Sequence, residues 1–151
     1  LPESGRGCYI LRPWLKEPEL DMPRILLIDD DEQVRLALAG LLRVDRHEVV
    51  TAADGAEGLE WFQRQAFDLV ITDLIMPKKG GPETIAALRR LRPGLKIIAM
   101  YGGGRITGAD SPATAQSLGA DRLLAKPITL AELRAAVSDV LKVPPDNPDR
   151  S

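Results

Sequence analysis

The stretch RILLIDDDEQVR, residues 24–35, decides the reading of this chain, because its hydrophobic period changes partway along. Residues 24–28 make a short apolar run, too brief for a helix and flanked like a buried parallel strand. Three aspartates, Asp29, Asp30 and Asp31, close it. Beyond them Val34, Leu38, Leu41 and Leu42 fall on one helical face, so the spacing predicts a helix over 32–42 with acidic residues at its positive end. One strand running into one helix, with acids at the junction, is a βα unit.

The same alternation recurs downstream. Residues 47–52 (HEVVTA) read as a second strand, followed by a helix expected to bury Ala56, Leu59 and Phe62. Residues 67–72 (FDLVIT) make a third strand that also ends in an aspartate, Asp73. Pro77, Gly80 and Gly81 break the chain before a helix over 82–91 that buries Ile85 and Leu88. Residues 95–101 (LKIIAMY) are strand four, leading into Gly102, Gly103 and Gly104, and a weakly patterned stretch over 109–118 is expected to be the fourth helix. Residues 122–125 (RLLA) are strand five, ending in Lys126 and Pro127. Thr129 with Glu132 three residues on forms a capping box for a last helix burying Leu130, Leu133, Val137 and Leu141.

Five βα units imply an α/β fold, a doubly wound parallel five-stranded sheet covered on both faces. The whole chain has 151 residues, enough for one such core and too few for two ordinary domains. Residues 1–21 lack either period and carry three prolines, so they read as a leader, with Met22 as a candidate natural start. Residues 143–151 (VPPDNPDRS) read as a flexible tail. A net charge of −2 with scattered basic residues argues against a nucleic-acid grip, and no apolar run approaches the roughly 20 residues of a membrane span. With no secretion signal, the expected location is cytoplasmic. The single cysteine, Cys8, excludes an internal disulfide and argues against a cysteine metal site.

Ligands of doubly wound sheets gather outside the carboxyl ends of the strands. Asp29 and Asp30 stand there after strand one, Asp73 after strand three, Tyr101 after strand four and Lys126 after strand five. If the strand order is 2-1-3-4-5, strands one and three are neighbours roughly 4.8 Å apart, and the three carboxylates converge. Like charges that close share protons or recruit a cation, and an all-oxygen site suits a hard ion such as Mg²⁺, with Mn²⁺ an alternative. Lys126 lies two strands from Asp73, about 10 Å, a gap that a lysine and a phosphoryl group together bridge. Aspartate nucleophile, metal and ammonium make a phosphoryl-acceptor design. The only histidine, His47, precedes strand two at the opposite end of the sheet and reads as a solvent-facing edge residue.

Three segments, ILLIDDDEQVR (25–35), DLVITDLIMPKKGG (68–81) and LLAKPIT (123–129), resemble in order the acidic-pair, phosphorylation-site and lysine-proline segments of bacterial response-regulator receiver domains. The resemblance spans about 23–141 and implies a flavodoxin-like (βα)5 domain over 22–142. It implies that Asp73 receives a phosphoryl group from a sensor histidine kinase or phosphotransfer protein. Asp30, Asp73 and the backbone carbonyl of Ile75 would ligate Mg²⁺, and Asp29 would act through water. Lys126 would pair with Asp73 and then with the phosphoryl oxygens, after a cis Lys126–Pro127 peptide. Output would pass through the face of helix four, strand five and helix five to an unknown downstream protein, with no direct DNA binding. Such a domain is a signalling module, catalysing at most its own phosphorylation and dephosphorylation.

Two positions depart from that pattern. Receivers place Ser or Thr where this chain has Tyr101, and many carry Tyr or Phe where it has Leu123. A phenol reaches farther on a stiff ring and does not replace a short hydroxyl. It points away, lies over the pocket, or sits as an ordinary partly buried tyrosine. The competing reading is therefore a receiver-like scaffold whose output ignores phosphate. An aspartate-nucleophile phosphatase is disfavoured because Ile75 stands where that chemistry needs a second aspartate. The glycines 102–104 lack the Lys and Ser/Thr of a phosphate loop, and no FMN-type loop follows strand one.

Overall fold

The computed structural model describes residues 22–74, 80–102 and 112–141. The leader over 1–21, Ile75, Pro77, Gly103, Gly104 and the tail over 143–151 lie outside the described residues. Ten elements alternate: β1 (Arg24–Ile28), α1 (Glu32–Val44), β2 (Glu48–Ala52), α2 (Gly55–Arg64), β3 (Leu69–Asp73), α3 (Gly81–Leu91), β4 (Lys96–Gly102), α4 (Pro112–Ser117), β5 (Arg122–Lys126) and α5 (Leu130–Leu141). All neighbouring strands are parallel, in the order β2-β1-β3-β4-β5. That is the flavodoxin-like doubly wound arrangement expected from the sequence.

Alternation along the strands divides the core in two. Ile25 and Leu27 of β1 join Ile71, Ile98 and Met100 beneath α1 and α5, which contribute Leu38, Leu42, Leu133 and Val137. Leu26 and Ile28 face the other way and join Val70, Ile97 and Ala99 beneath α3 and α4, which contribute Ile85, Leu88 and Ala115. The four β1 side chains are fully buried, each worth about 1.5–3 kcal/mol relative to exposure. This explains why the strand reads as an unbroken apolar run.

The N-termini of α1 and α5 are fixed by side chains legible in the sequence. Asp31 caps α1 by accepting from the amides of Gln33 and Val34. Thr129 and Glu132 form the reciprocal capping box ahead of α5. No helix among the described residues is long and apolar enough to cross a membrane.

Several burial expectations fail, for stated reasons. Ala56 is exposed, whereas Gly55 and Gly58 form the buried stripe of α2, with Leu59 and Phe62 only partly covered. The helix lies so near β1 that a Cβ on Gly58 would stand 2.4 Å from Ile28 Cδ1. In α5 the buried set is Leu133, Ala136, Val137 and Val140, which moves Leu130 to 37% exposure and leaves Leu141 partly covered. Of the expected fourth helix over 109–118, residues 112–117 are helical and 109–111 lie outside the described residues.

Candidate functional site

The carboxyl ends of β1, β3 and β5 meet at one place because β3 lies between β1 and β4, and β4 pairs with β5. Asp29 follows β1 and is fully buried; its amide donates to the Ala52 carbonyl at 3.1 Å. Asp73 ends β3 opposite Met100 of β4 and is 6% exposed. Asp30 turns outward and is exposed. The three residues nevertheless offer carboxylate oxygens that all lie within 4.8 Å of one another, the geometry of a cluster able to hold a metal ion. Oxygen-only donors of this charge suit a hard divalent cation.

Lys126, the last residue of β5, reaches across to the same point. Its Nζ lies 2.8 Å from Asp29 Oδ2 and 3.1 Å from Asp73 Oδ2. The lysine therefore spans the gap unaided, where strand spacing left room for a phosphoryl group between them, and its shorter bond is to Asp29 rather than Asp73. Burial alone would depress the ammonium's pKa, but the hydrogen bond to Asp29 and the charges of both aspartates outweigh it and hold the group above its ordinary value. The ammonium is thus fixed in its charged form. The Lys126–Pro127 peptide is cis, as expected.

Asp29 uses both carboxylate oxygens within the protein. Oδ1 accepts from the Asp31 amide at 2.9 Å and Oδ2 from Lys126. It holds both the lysine and the turn. Beside Lys126 an apolar hollow of about 470 Å³ opens, walled by Val34, Ala37, Leu38, Pro127 and Ile128.

Tyr101 sits next to last in β4, paired with Ala125, and packs half-buried against the cluster beneath α3 and α4. Leu123 packs against the same cluster, so the two departures share one face of the sheet. Ile75 lies outside the described residues, and its carbonyl is not placed.

His47 is at the far end of the sheet, but it is not the solvent-facing residue expected. It is half-buried, and its Nδ1 is enclosed without a hydrogen-bond partner. Together with Pro23, Leu42, Asp45, Arg134, Val137 and Leu141 it lines a cavity of about 410 Å³. The sequence marks Gly81 only as a chain breaker and assigns Arg35 no role. A Cβ on Gly81 would lie 2.5 Å from the Asp73 carbonyl oxygen and 2.4 Å from Leu74 Cα, so only glycine lets α3 start against the backbone that carries Asp73. Arg35 folds back from α1 onto the Asp29 carbonyl. A glycine in a breaker cluster was visible in the sequence; its close contact was not.

The comparisons with known proteins agree with this geometry. The family model of the response regulator receiver domain matches residues 25–138. The transcriptional regulatory protein GlrR of Escherichia coli is 36% identical over 121 residues, which cover 80% of this chain and 27% of that protein. The transcriptional regulatory protein PrrA of Mycobacterium tuberculosis is 34% identical over 120 residues, covering 80% and 50%. The chain thus spans between about a quarter and a half of these curated relatives. Among solved structures, a response regulator receiver domain protein from Clostridium thermocellum superposes with TM-score 0.73 at 32% identity, covering 80% of this chain and 94% of that one. The chemotaxis protein CheY4 of Vibrio cholerae gives 0.72 at 30% identity, covering 80% and 99%. With the fold, the acidic cluster and the family model in agreement over most of its length, this chain belongs to the receiver domains of two-component response regulators.

Proposed function

We propose that Asp73 accepts a phosphoryl group from a phosphohistidine on a sensor kinase or phosphotransfer protein, with Mg²⁺, or Mn²⁺ in its place, held by Asp30, Asp73 and the Ile75 carbonyl. The observation that carries this reading is the crowding of three carboxylates around one ammonium, Lys126, at the carboxyl end of the sheet. A carboxylate oxygen of Asp73 attacks phosphorus, an O–P bond forms as the N–P bond breaks, and the imidazole leaves neutral because the other ring nitrogen of the phosphohistidine already carries a proton. The metal, when bound, neutralises charge on the phosphoryl oxygens during transfer. Lys126 is already charged and desolvated on one side, so it moves from the Asp73 carboxylate to a phosphoryl oxygen without a change of protonation. Asp29 keeps the ammonium in place through the exchange. The apolar hollow between α1 and Pro127 would seat the donor protein beside the acceptor.

The product shifts a two-state equilibrium of the α4, β5 and α5 face, which a downstream protein reads. Chemistry beyond phosphorylation and dephosphorylation of Asp73 forms no part of this reading. Direct DNA contact by the described residues forms no part of it either. Arg24, Arg122 and Arg134 are each paired with a carboxylate, Glu48, Asp139 and Asp45 in turn, rather than gathered into a basic stripe.

The test is intact-mass measurement after acetyl phosphate with and without Mg²⁺. A metal-dependent gain of one phosphoryl group, lost in Asp73→Asn, is expected; no gain contradicts the proposal. A second reading, a scaffold indifferent to phosphate, draws on the packing of Tyr101 and Leu123 where relatives place a small hydroxyl and an aromatic ring. Under our reading Tyr101 weakens the coupling of phosphorylation to shape change more than it weakens metal binding. Tyr101→Ser should therefore enlarge the beryllofluoride-induced spectral change at unchanged Mg²⁺ affinity. Equal responses in the two proteins would dispose of that role.

A further inference from the structure

Asp29 and Asp30 share one peptide unit, and that unit is held from outside the cluster. The guanidinium Nη1 of Arg35, one turn into α1, donates to the Asp29 carbonyl at 2.8 Å. The helix itself fixes where Arg35 begins, since its amide donates to the Asp31 carbonyl at 2.9 Å. A trans peptide is planar, so the Asp29 carbonyl, the Asp30 nitrogen and both Cα atoms move together. The one freedom left to such a plate between anchored neighbours is rotation about the line joining the two Cα atoms. Pinning its oxygen stops that rotation.

The flanking bonds make the pin consequential. On one side the Asp29 amide is tied to Ala52 of β2, and on the other the Asp31 amide is tied to Asp29 Oδ1. Rotation of the plate would swing the Asp30 Cβ direction and pull the Asp31 amide from Asp29 Oδ1. It would thus disturb both acids at once. Asp30 is the exposed member of the cluster, so packing does not fix its direction, whereas Asp29 is enclosed.

We propose that Arg35 is a positioning residue that aims the Asp30 carboxylate by pinning the Asp29–Asp30 peptide. The inference rests on the metal-dependent reading above, and it makes a prediction of unusual sign. As a bare positive charge near three carboxylates, Arg35 would repel a divalent cation, so its removal would tighten Mg²⁺ binding by up to about a few-fold. As a pin, its removal loosens the ligand geometry and weakens Mg²⁺ binding by about five- to tenfold, the equivalent of part of one charge-assisted hydrogen bond.

The experiment titrates Mg²⁺ into the full chain and its Arg35→Met and Arg35→Lys variants by calorimetry. In parallel it follows amide hydrogen exchange of Asp30 and Asp31 without metal. Arg35→Met is expected to bind Mg²⁺ more weakly and to exchange faster at these two amides, while a core amide such as Ile98 keeps its protection. Arg35→Lys, which retains the charge and a single donor, is expected to fall between. Tighter or unchanged binding in Arg35→Met overturns the proposal, as does exchange that rises equally at Ile98, which would signal general loosening. If the parent chain binds no Mg²⁺, the metal-dependent reading falls. The metal-free exchange still decides whether Arg35 pins the peptide, and unchanged exchange there overturns it.

Discussion

The two ends of the parallel sheet carry similar chemistry in opposite states of balance. At the carboxyl end, among the described residues, three carboxylates, Asp29, Asp30 and Asp73, face one ammonium, that of Lys126, and two of the acids are buried. At the amino end one carboxylate, Asp45, meets one guanidinium, Arg134, in a fork with both bonds at 2.8 Å, and both partners are partly exposed. Among the described residues the first end carries an excess of negative charge, which suits a cation. The second is neutral and asks for nothing. Opposite charges in contact therefore do not make a site; uncompensated charge under poor solvation does.

The largest contrast between the ends should appear in chemistry. Asp73→Asn is expected to abolish labelling by acetyl phosphate, whereas Asp45→Asn leaves it unchanged, as read by intact mass; loss in both would erase the distinction. Next comes stability. Lys126→Met leaves a fully buried Asp29 without its cation and should cost about 2–4 kcal/mol in urea unfolding. Arg134→Ala breaks a solvent-screened pair and should cost far less. Similar costs would mean that burial does not separate the two ends.

Metal linkage should give a smaller shift. Mg²⁺ at ten times its dissociation constant should add about 1.4 kcal/mol to the parent chain, and most of that gain should vanish in Asp30→Asn. The Arg134→Ala variant should keep the gain in full. Thermal melting with and without Mg²⁺ measures both.

The smallest effect is one of pH. Desolvation, opposed by the charge of Asp45, holds His47 below its ordinary value near 6.5. The unfolded chain then takes up the proton first, so stability is complete above about pH 6.5 and declines as pH falls through that value. His47→Gln should flatten this decline in melting temperature between pH 7 and 5. Lys126 has the opposite sense, being held above its ordinary value near 10.5. Its contribution is full below that pH and is lost only as pH rises through the folded value. A melting temperature that climbed in the parent chain as pH fell through 6.5 would contradict the His47 assignment.

The same contrast shows what the sequence could tell. Period was enough for a parallel sheet covered on both faces, because an apolar run such as residues 25–28 must be buried on both sides; the strand order, and with it the meeting of the β1 and β3 acids, followed only from the family resemblance. Asp29, Asp30, Asp73 and Lys126 were legible because each ends or follows a strand. Details that depend on distance between elements were not. Gly58 rather than Ala56 is buried because α2 approaches Ile28 closely. Half-burial of His47 needs Pro23 and α5 residues distant in sequence, which line the same cavity. Arg35 looked like any solvated position on α1, since nothing in its spacing reports a side chain that turns back on the preceding strand.

The most direct test of the central claim is a residue-resolved titration of amide resonances, first with Mg²⁺ and then with beryllofluoride. The account predicts saturable changes first at Asp29, Asp30, Asp73, Leu74, Ile75 and Lys126, then spreading to β5 and α5 when beryllofluoride is added. Asp45, His47 and Arg134 should stay still in the Mg²⁺ step. Changes centred on those three residues, or none at the acidic end, would contradict it.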